Sequence, residues 1–232
     1  MTSDPRLLLP DFSPWAKLNH LAPANIKWCE ATVPGWITEP ANTWTNLAYV
    51  LVAILIWKKY PKIAYATLFL GLGSGIYHAT NNFFTQLWDF VGMYAVLALF
   101  IVINCARIGM KKSSLNRIYW GGAAIFTSLC VILYFINLPY QALVLFMILG
   151  LVLSEVKAKN NSAGSSHKKS FYTALFFIAV AAVFSFSDHK GWFCDPDNHL
   201  VQGHAIWHIL SATAIYFATR YYGQHYDTLK NV

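Results

Sequence analysis

The chain has 232 residues, 56% of them apolar and only 12% charged, with a positive mean hydropathy. A soluble domain carries about 25% charged residues, so this composition excludes an ordinary soluble globular protein and points to a membrane. The net charge of +7 comes from 17 Lys and Arg against 10 Asp and Glu.

The first residues, Met1 to Trp15, contain Asp4, Pro5, Pro10, Asp11 and Pro14 and lack the uninterrupted apolar core of a cleavable signal peptide. Residues 1–40 read as an extracytoplasmic segment. Apolar runs of roughly 17 to 22 residues follow, each long enough to cross a hydrocarbon core of about 30 Å. They lie at approximately 41–57, 63–79, 87–107, 117–137, 139–156, 171–187 and 203–222. A helix continuing through Pro139 would lose a backbone hydrogen bond, so Asn137-Leu138-Pro139 reads as a tight turn between two helices. The loop Lys157 to Ser170 is polar and basic, and residues 223–232 read as a tail. The expected fold is an all-α membrane protein: a seven-transmembrane helix bundle forming one catalytic domain over 41–222, with no evident internal repeat.

Thirteen of the 17 Lys and Arg fall on one side of this alternation, in the loops after the first, third and fifth runs and at the C-terminus; Arg6, Lys17, Lys27 and Lys190 fall on the other. Cationic loops stay cytoplasmic. The N-terminus is therefore expected outside or lumenal and the C-terminus cytoplasmic. The basic loops face anionic lipid, which accounts for the net charge and gives nucleic acid no support as a partner. The expected location is a bacterial inner membrane or an ER or Golgi membrane. Cys105 and Cys130 sit inside apolar runs and read as packing residues, whereas Cys29 and Cys194 both fall on the outer side. A Cys29–Cys194 disulfide in an oxidising compartment stands there against two free thiols.

Ionisable side chains in membrane helices are costly, and each is a candidate for function. Ser74 and His78 are four residues apart at the end of the second run and share one helical face. After a turn at Asn81-Asn82-Phe83-Phe84, Asp89 returns to nearly the same depth. His204 and His208 form a second i, i+4 pair where the last run opens, again at the outer end. Three neutral imidazoles with a fourth position open suit catalytic zinc, although the spacing alone also admits haem or a proton relay. Ser74 and Asp89 add an oxyanion donor and a proton acceptor. The structural alternatives are that Ser74 back-bonds to its own helix and that Asp89 is an N-cap or first-turn acid. Trp28, Trp36, Trp44, Trp88, Trp192 and Trp207 read as an interfacial belt.

As a pattern, Ser74-xxx-His78, Asp89 eleven residues on and His204-xxx-His208 resemble the alkaline ceramidase family, part of a superfamily of seven-helix metal hydrolases that includes adiponectin-receptor-like proteins. Trp28-Cys29-Glu30, then Glu39 with Asn42-Thr43 and Asn46, is similar to the family's N-terminal signature and favours the ceramidase branch. Cys194-Asp195-Pro196 and Gln202 to His208 are similar to its C-terminal one. The resemblance implies zinc ligands at His78, His204 and His208, support from Ser74, proton transfer by Asp89, and ceramide as the membrane lipid substrate. Some members resembling this chain also hold calcium in the N-terminal segment, which would here involve Trp28, Glu30 and Glu39. Lys27 stands where that stretch has an acid and Thr32 where it has Asn, so the alternative is that Lys27 pairs with Glu30 or Glu39 in place of the ion. The rival function is a zinc-containing lipid receptor without turnover. A retinal pump is set aside, because no lysine lies between Ala205 and Tyr222.

Overall fold

A computed structural model describes residues 8–138, 140–158 and 165–231. Among these the regular secondary structure is helical, with one isolated bridge between Pro23 and Asn82. The helices are α1 (Ala16–Leu21), α2 (Pro40–Trp44), α3 (Leu47–Ile56), α4 (Pro61–Thr80), α5 (Phe83–Arg107), α6 (Lys112–Asn116), α7 (Gly122–Phe135), α8 (Gln141–Ala158), α9 (Ser165–His189) and α10 (Gly203–Tyr222). A π-helical turn, Arg117–Gly121, joins α6 to α7, and a 3-10 segment, Gly223–Asn231, follows α10.

Local chemistry sets the boundaries. Pro40 and Pro61 open α2 and α4 at the position where a missing N–H costs nothing. Asn81 closes α4 in the left-handed conformation, φ 45°, which asparagine tolerates. Asn82 then caps α5, its side chain accepting from the Thr85 N–H at 3.2 Å. The helical hairpin between them is two residues long, so the ends of α4 and α5 are fixed at one level. Asn137, φ 60°, ends the α7 rod, and the Leu138 N–H returns to the Leu133 carbonyl at 2.9 Å. Two helices do meet there as the turn reading requires, although Pro139 itself lies outside the described residues.

Close approach of backbones positions α4. A Cβ on Gly92 of α5 would lie 2.7 Å from the Leu70 Cα, and one on Gly73 would lie 3.3 Å from the Trp88 backbone. Small residues at such crossings are how helices pack where lipid removes the hydrophobic drive. The seven apolar runs fall on seven helical rods, counting α2/α3 and α6/α7 as one each. Four of these are long and apolar enough to cross a membrane: Phe83–Arg107, Lys112–Phe135, Gln141–Ala158 and Lys168–His189. Pro40–Ile56 is apolar but shorter, being interrupted at Thr45-Asn46. Helices α4 and α10 are 20 residues each but less apolar, because they carry Ser74, His78, His204 and His208.

The end away from these residues is held by a buried polar network. Arg107 donates to Glu155 at 2.6 Å and to Asn104 at 2.8 Å, while the Tyr221 hydroxyl donates to the other Glu155 oxygen. Asn104 also donates to Tyr222 at 3.2 Å, so α5, α8 and α10 are tied together. Glu155→Ala would leave a guanidinium buried without its partner, a loss of about 3–5 kcal/mol. A clear fall in the thermal unfolding midpoint of the purified protein in detergent is expected; an unchanged midpoint would contradict this account of the network.

Candidate metal centre

The i, i+4 pairs of α4 and α10 converge at one end of the bundle. His78, His204 and His208 each offer a ring nitrogen, and these lie within 4.8 Å of one another. The three side chains are 0%, 4% and 1% exposed. The Nε2 atoms of His78 and His204 are 3.2 Å apart.

What the other ring nitrogens touch decides the proton positions. His78 Nδ1 is 2.7 Å from Glu39 Oε2, so it carries the hydrogen that the carboxylate accepts. The Thr45 hydroxyl donates to the Ala41 carbonyl at 2.8 Å, leaving its lone pair to accept from His208 Nδ1 at 2.9 Å. Ser185 Oγ stands 3.5 Å from His204 Nδ1. His78 and His208 therefore present Nε2 as a bare lone pair, and the Nε2 of His204 is directed at that of His78. At 3.2 Å the two Nε2 atoms need a hydrogen or a metal cation between them. Nitrogens bound at about 2.0–2.1 Å to one tetrahedral ion stand roughly 3.3 Å apart. The donor set thus fits a metal ion, held by His78, His204 and His208.

Ser74, one turn before His78 on α4, and Asp89 on α5 are also buried, at 1% and 6% exposure. The Ser74 hydroxyl is the side-chain hydrogen-bond partner of the Asp89 carboxylate. The structural alternative for Asp89 fails, since Asn82 is the N-cap of α5 and Asp89 lies two turns in. The Asn81-Asn82 hairpin joins the helix that carries Ser74 and His78 to the one that carries Asp89.

The N-terminal segment forms a strap over the cluster. Trp28 is 6% exposed and its ring lies flat on His204, with centroids 3.4 Å apart and planes at 11°. It is therefore not part of an interfacial belt, whereas Trp36, Trp44, Trp88 and Trp192 are exposed. Cys29 and Cys194 form a disulfide, joining the strap to the segment before α10. The Thr38 hydroxyl and the Glu39 N–H satisfy the His78 carbonyl at 2.8 and 3.1 Å, closing the end of α4.

Glu30 and Glu39 have structural duties. Glu30 accepts the Ala41 and Asn42 N–H groups at 2.8 and 2.9 Å, so it caps α2 from outside the helix, and His199 Nδ1 lies 3.0 Å away. Burial raises its pKa, with the two backbone bonds pulling it back. Burial pushes the Glu39 carboxyl up to about 7, opposed by the nearby Lys27 charge and the Asn42 amide. Lys27 Nζ donates to the Glu30 backbone carbonyl at 2.9 Å, not to either carboxylate as expected from the sequence. An ammonium on a carbonyl oxygen and carboxylates bound to N–H groups and an imidazole are a poor set for calcium, which takes six to eight oxygens. These residues do not fit a calcium ion.

Sequence reading missed Glu39 as the partner of His78 and Thr45 as the partner of His208. The pairs are 39 and 163 residues apart, and no local spacing announces them.

The chain is similar to known proteins over most of its length. A family model described as Ceramidase matches residues 21–231. An alkaline ceramidase of Caenorhabditis elegans is 30% identical over 220 residues, covering 82% of this chain and 76% of the relative. One from Caenorhabditis briggsae is 28% identical over 219 residues, with the same coverage.

Glu39→Ala and Thr45→Val each remove one acceptor that holds a ligand ring in place. Each should weaken metal binding about 10- to 100-fold, read by competition against a chromophoric chelator. Wild-type affinity in both variants would show that these contacts do not orient the rings.

Proposed function

The chain belongs to the ceramidase family, and on that premise we propose that it is a zinc-dependent amidase of the membrane interior, hydrolysing ceramide to a long-chain base and a fatty acid. The observation that carries this reading is the convergence of three buried imidazole nitrogens from α4 and α10. Three imidazole nitrogens suit zinc, with a fourth position left for chemistry. A zinc ion held by His78, His204 and His208 would supply Lewis acidity, polarising the amide carbonyl and acidifying a water.

Asp89 is the general base in this reading. Its carboxylate takes a proton from the water as the water oxygen bonds to the amide carbon. It returns that proton to the nitrogen as the C–N bond breaks, so the same group serves both halves of the reaction. Ser74 holds Asp89 in place, and its hydroxyl is available to the oxygen on which negative charge develops. Trp28 and the strap limit the water that reaches the site.

A narrow apolar cavity of about 90 Å³ lies beside the cluster, with Tyr49, Trp207 and Ser211 toward His208 and Phe100, Phe171 and Tyr222 at the far end. Such a lining suits an alkyl chain. The proposed topology has all seven rods crossing the bilayer, α4 and α10 surrounded by the more apolar helices. The N-terminus and the site then lie on the outer or lumenal side and the basic loops in the cytoplasm.

The deciding measurement is mass-spectrometric analysis of products from a panel of ceramides and related N-acyl lipids. Wild type should release fatty acid and long-chain base, and His204→Ala should release neither. No release by wild type with metal still bound would leave a lipid-binding protein without turnover. Asp89→Asn should lower kcat by at least about 100-fold while keeping its metal, since it removes only the proton carrier. A small loss in that variant would place the general base elsewhere.

A further inference from the structure

Asp188 is buried, at 4% exposure, in the last turn of α9, yet it neither coordinates the cluster nor pairs with a cation among the contacts described. Its two carboxylate oxygens face two different segments. Oδ1 accepts the backbone N–H of His204 at 3.0 Å, and Oδ2 accepts the backbone N–H of Cys29 at 2.8 Å. The Gly203 N–H is also directed at it.

The first contact supplies something α10 lacks. The residue at its N-cap position, Gln202, makes no side-chain cap bond, so the first N–H groups of α10 depend on a partner from elsewhere. Asp188 is that partner, and a carboxylate suits a helix N-terminus. The approach is close: a Cβ on Gly203 would lie 2.9 Å from the Phe184 carbonyl and 3.0 Å from the Asp188 Cβ. Ser185, one turn earlier on the same helix, stands 3.5 Å from His204 Nδ1. Helix α9 therefore holds His204 by its backbone and faces its ring.

The second contact fixes the strap at Cys29, next to both the disulfide and Trp28, whose ring covers His204. One carboxylate thus joins the backbone of a metal-ligand residue to the backbone beside the ring stacked on it.

We propose that Asp188 is a positioning residue of the metal centre: by bridging the His204 and Cys29 N–H groups it sets the direction of the His204 lone pair and holds Trp28 over that ring. The inference rests on the reading that His78, His204 and His208 hold a metal. Asparagine at this position has one carbonyl oxygen where the native residue has two acceptors, so one of the two links must fail.

The test uses full-length protein in detergent, stripped of metal and titrated with Co²⁺ alone, whose visible absorption reports both affinity and ligand geometry. Asp188→Asn should bind Co²⁺ about 10- to 100-fold more weakly than wild type. At saturation its visible band should also be displaced, which a change in overall stability alone would not produce. The pair Cys29→Ser/Cys194→Ser releases the strap from its other anchor and should shift the band in the same direction, which keeps the idea testable if Asp188→Asn does not fold. Wild-type affinity and an unmoved band in Asp188→Asn would overturn the proposal while leaving the metal reading intact. An unmoved band in the cysteine pair, with Asp188→Asn unfolded, would also overturn it. If wild type itself takes up no Co²⁺, matching His204→Ala, the metal reading fails and this inference falls with it.

Discussion

Three imidazoles whose ring nitrogens lie within 4.8 Å of one another cannot all be protonated, and in a bundle of apolar helices none of them can turn to water. Each Nδ1 hydrogen must find an acceptor within the protein, and each Nε2 lone pair must then point somewhere useful. Much of the molecule's irregular structure answers that requirement. Glu39 comes from the strap, Thr45 from the break between α2 and α3, and Ser185 from the end of α9.

The two ends of the bundle solve different problems. At the far end, Arg107 and Glu155 are saturated by each other, by Asn104 and by Tyr221, so the network is closed and inert. At the histidine end, nitrogens from three buried imidazoles converge within 4.8 Å of one another, a donor set rather than a closed ion pair. The contrast separates a structural polar cluster from a site prepared for a ligand. It also explains why α4 and α10, which carry the histidines, are less apolar than their neighbours.

Holding the strap in place is a separate task from holding the ligands, and the structure links the two. Glu30 caps α2, the disulfide joins Cys29 to Cys194, and Asp188 reaches both the strap and the start of α10. In the proposed reaction this matters because a water-derived nucleophile needs a site with limited access to bulk water. A stacked indole over one ligand ring is a simple way to arrange that.

The sequence by itself determined the helical class, the seven apolar runs and the residue types at the site. Hydropathy and i, i+4 spacing are local properties, and the polar residues stood out because a membrane helix tolerates so few. It also paired Cys29 with Cys194 correctly from their shared side. Only the tertiary structure decided the rest. It turned Glu39 from a calcium candidate into the partner of His78, took Trp28 from a belt to a ring stacked on His204, moved Lys27 onto a carbonyl, and gave Asp188 its two N–H groups. Each of these depends on which way a side chain points between segments distant in sequence. That direction is set by close backbone contacts, such as Gly92 against Leu70, which leave no trace in local periodicity.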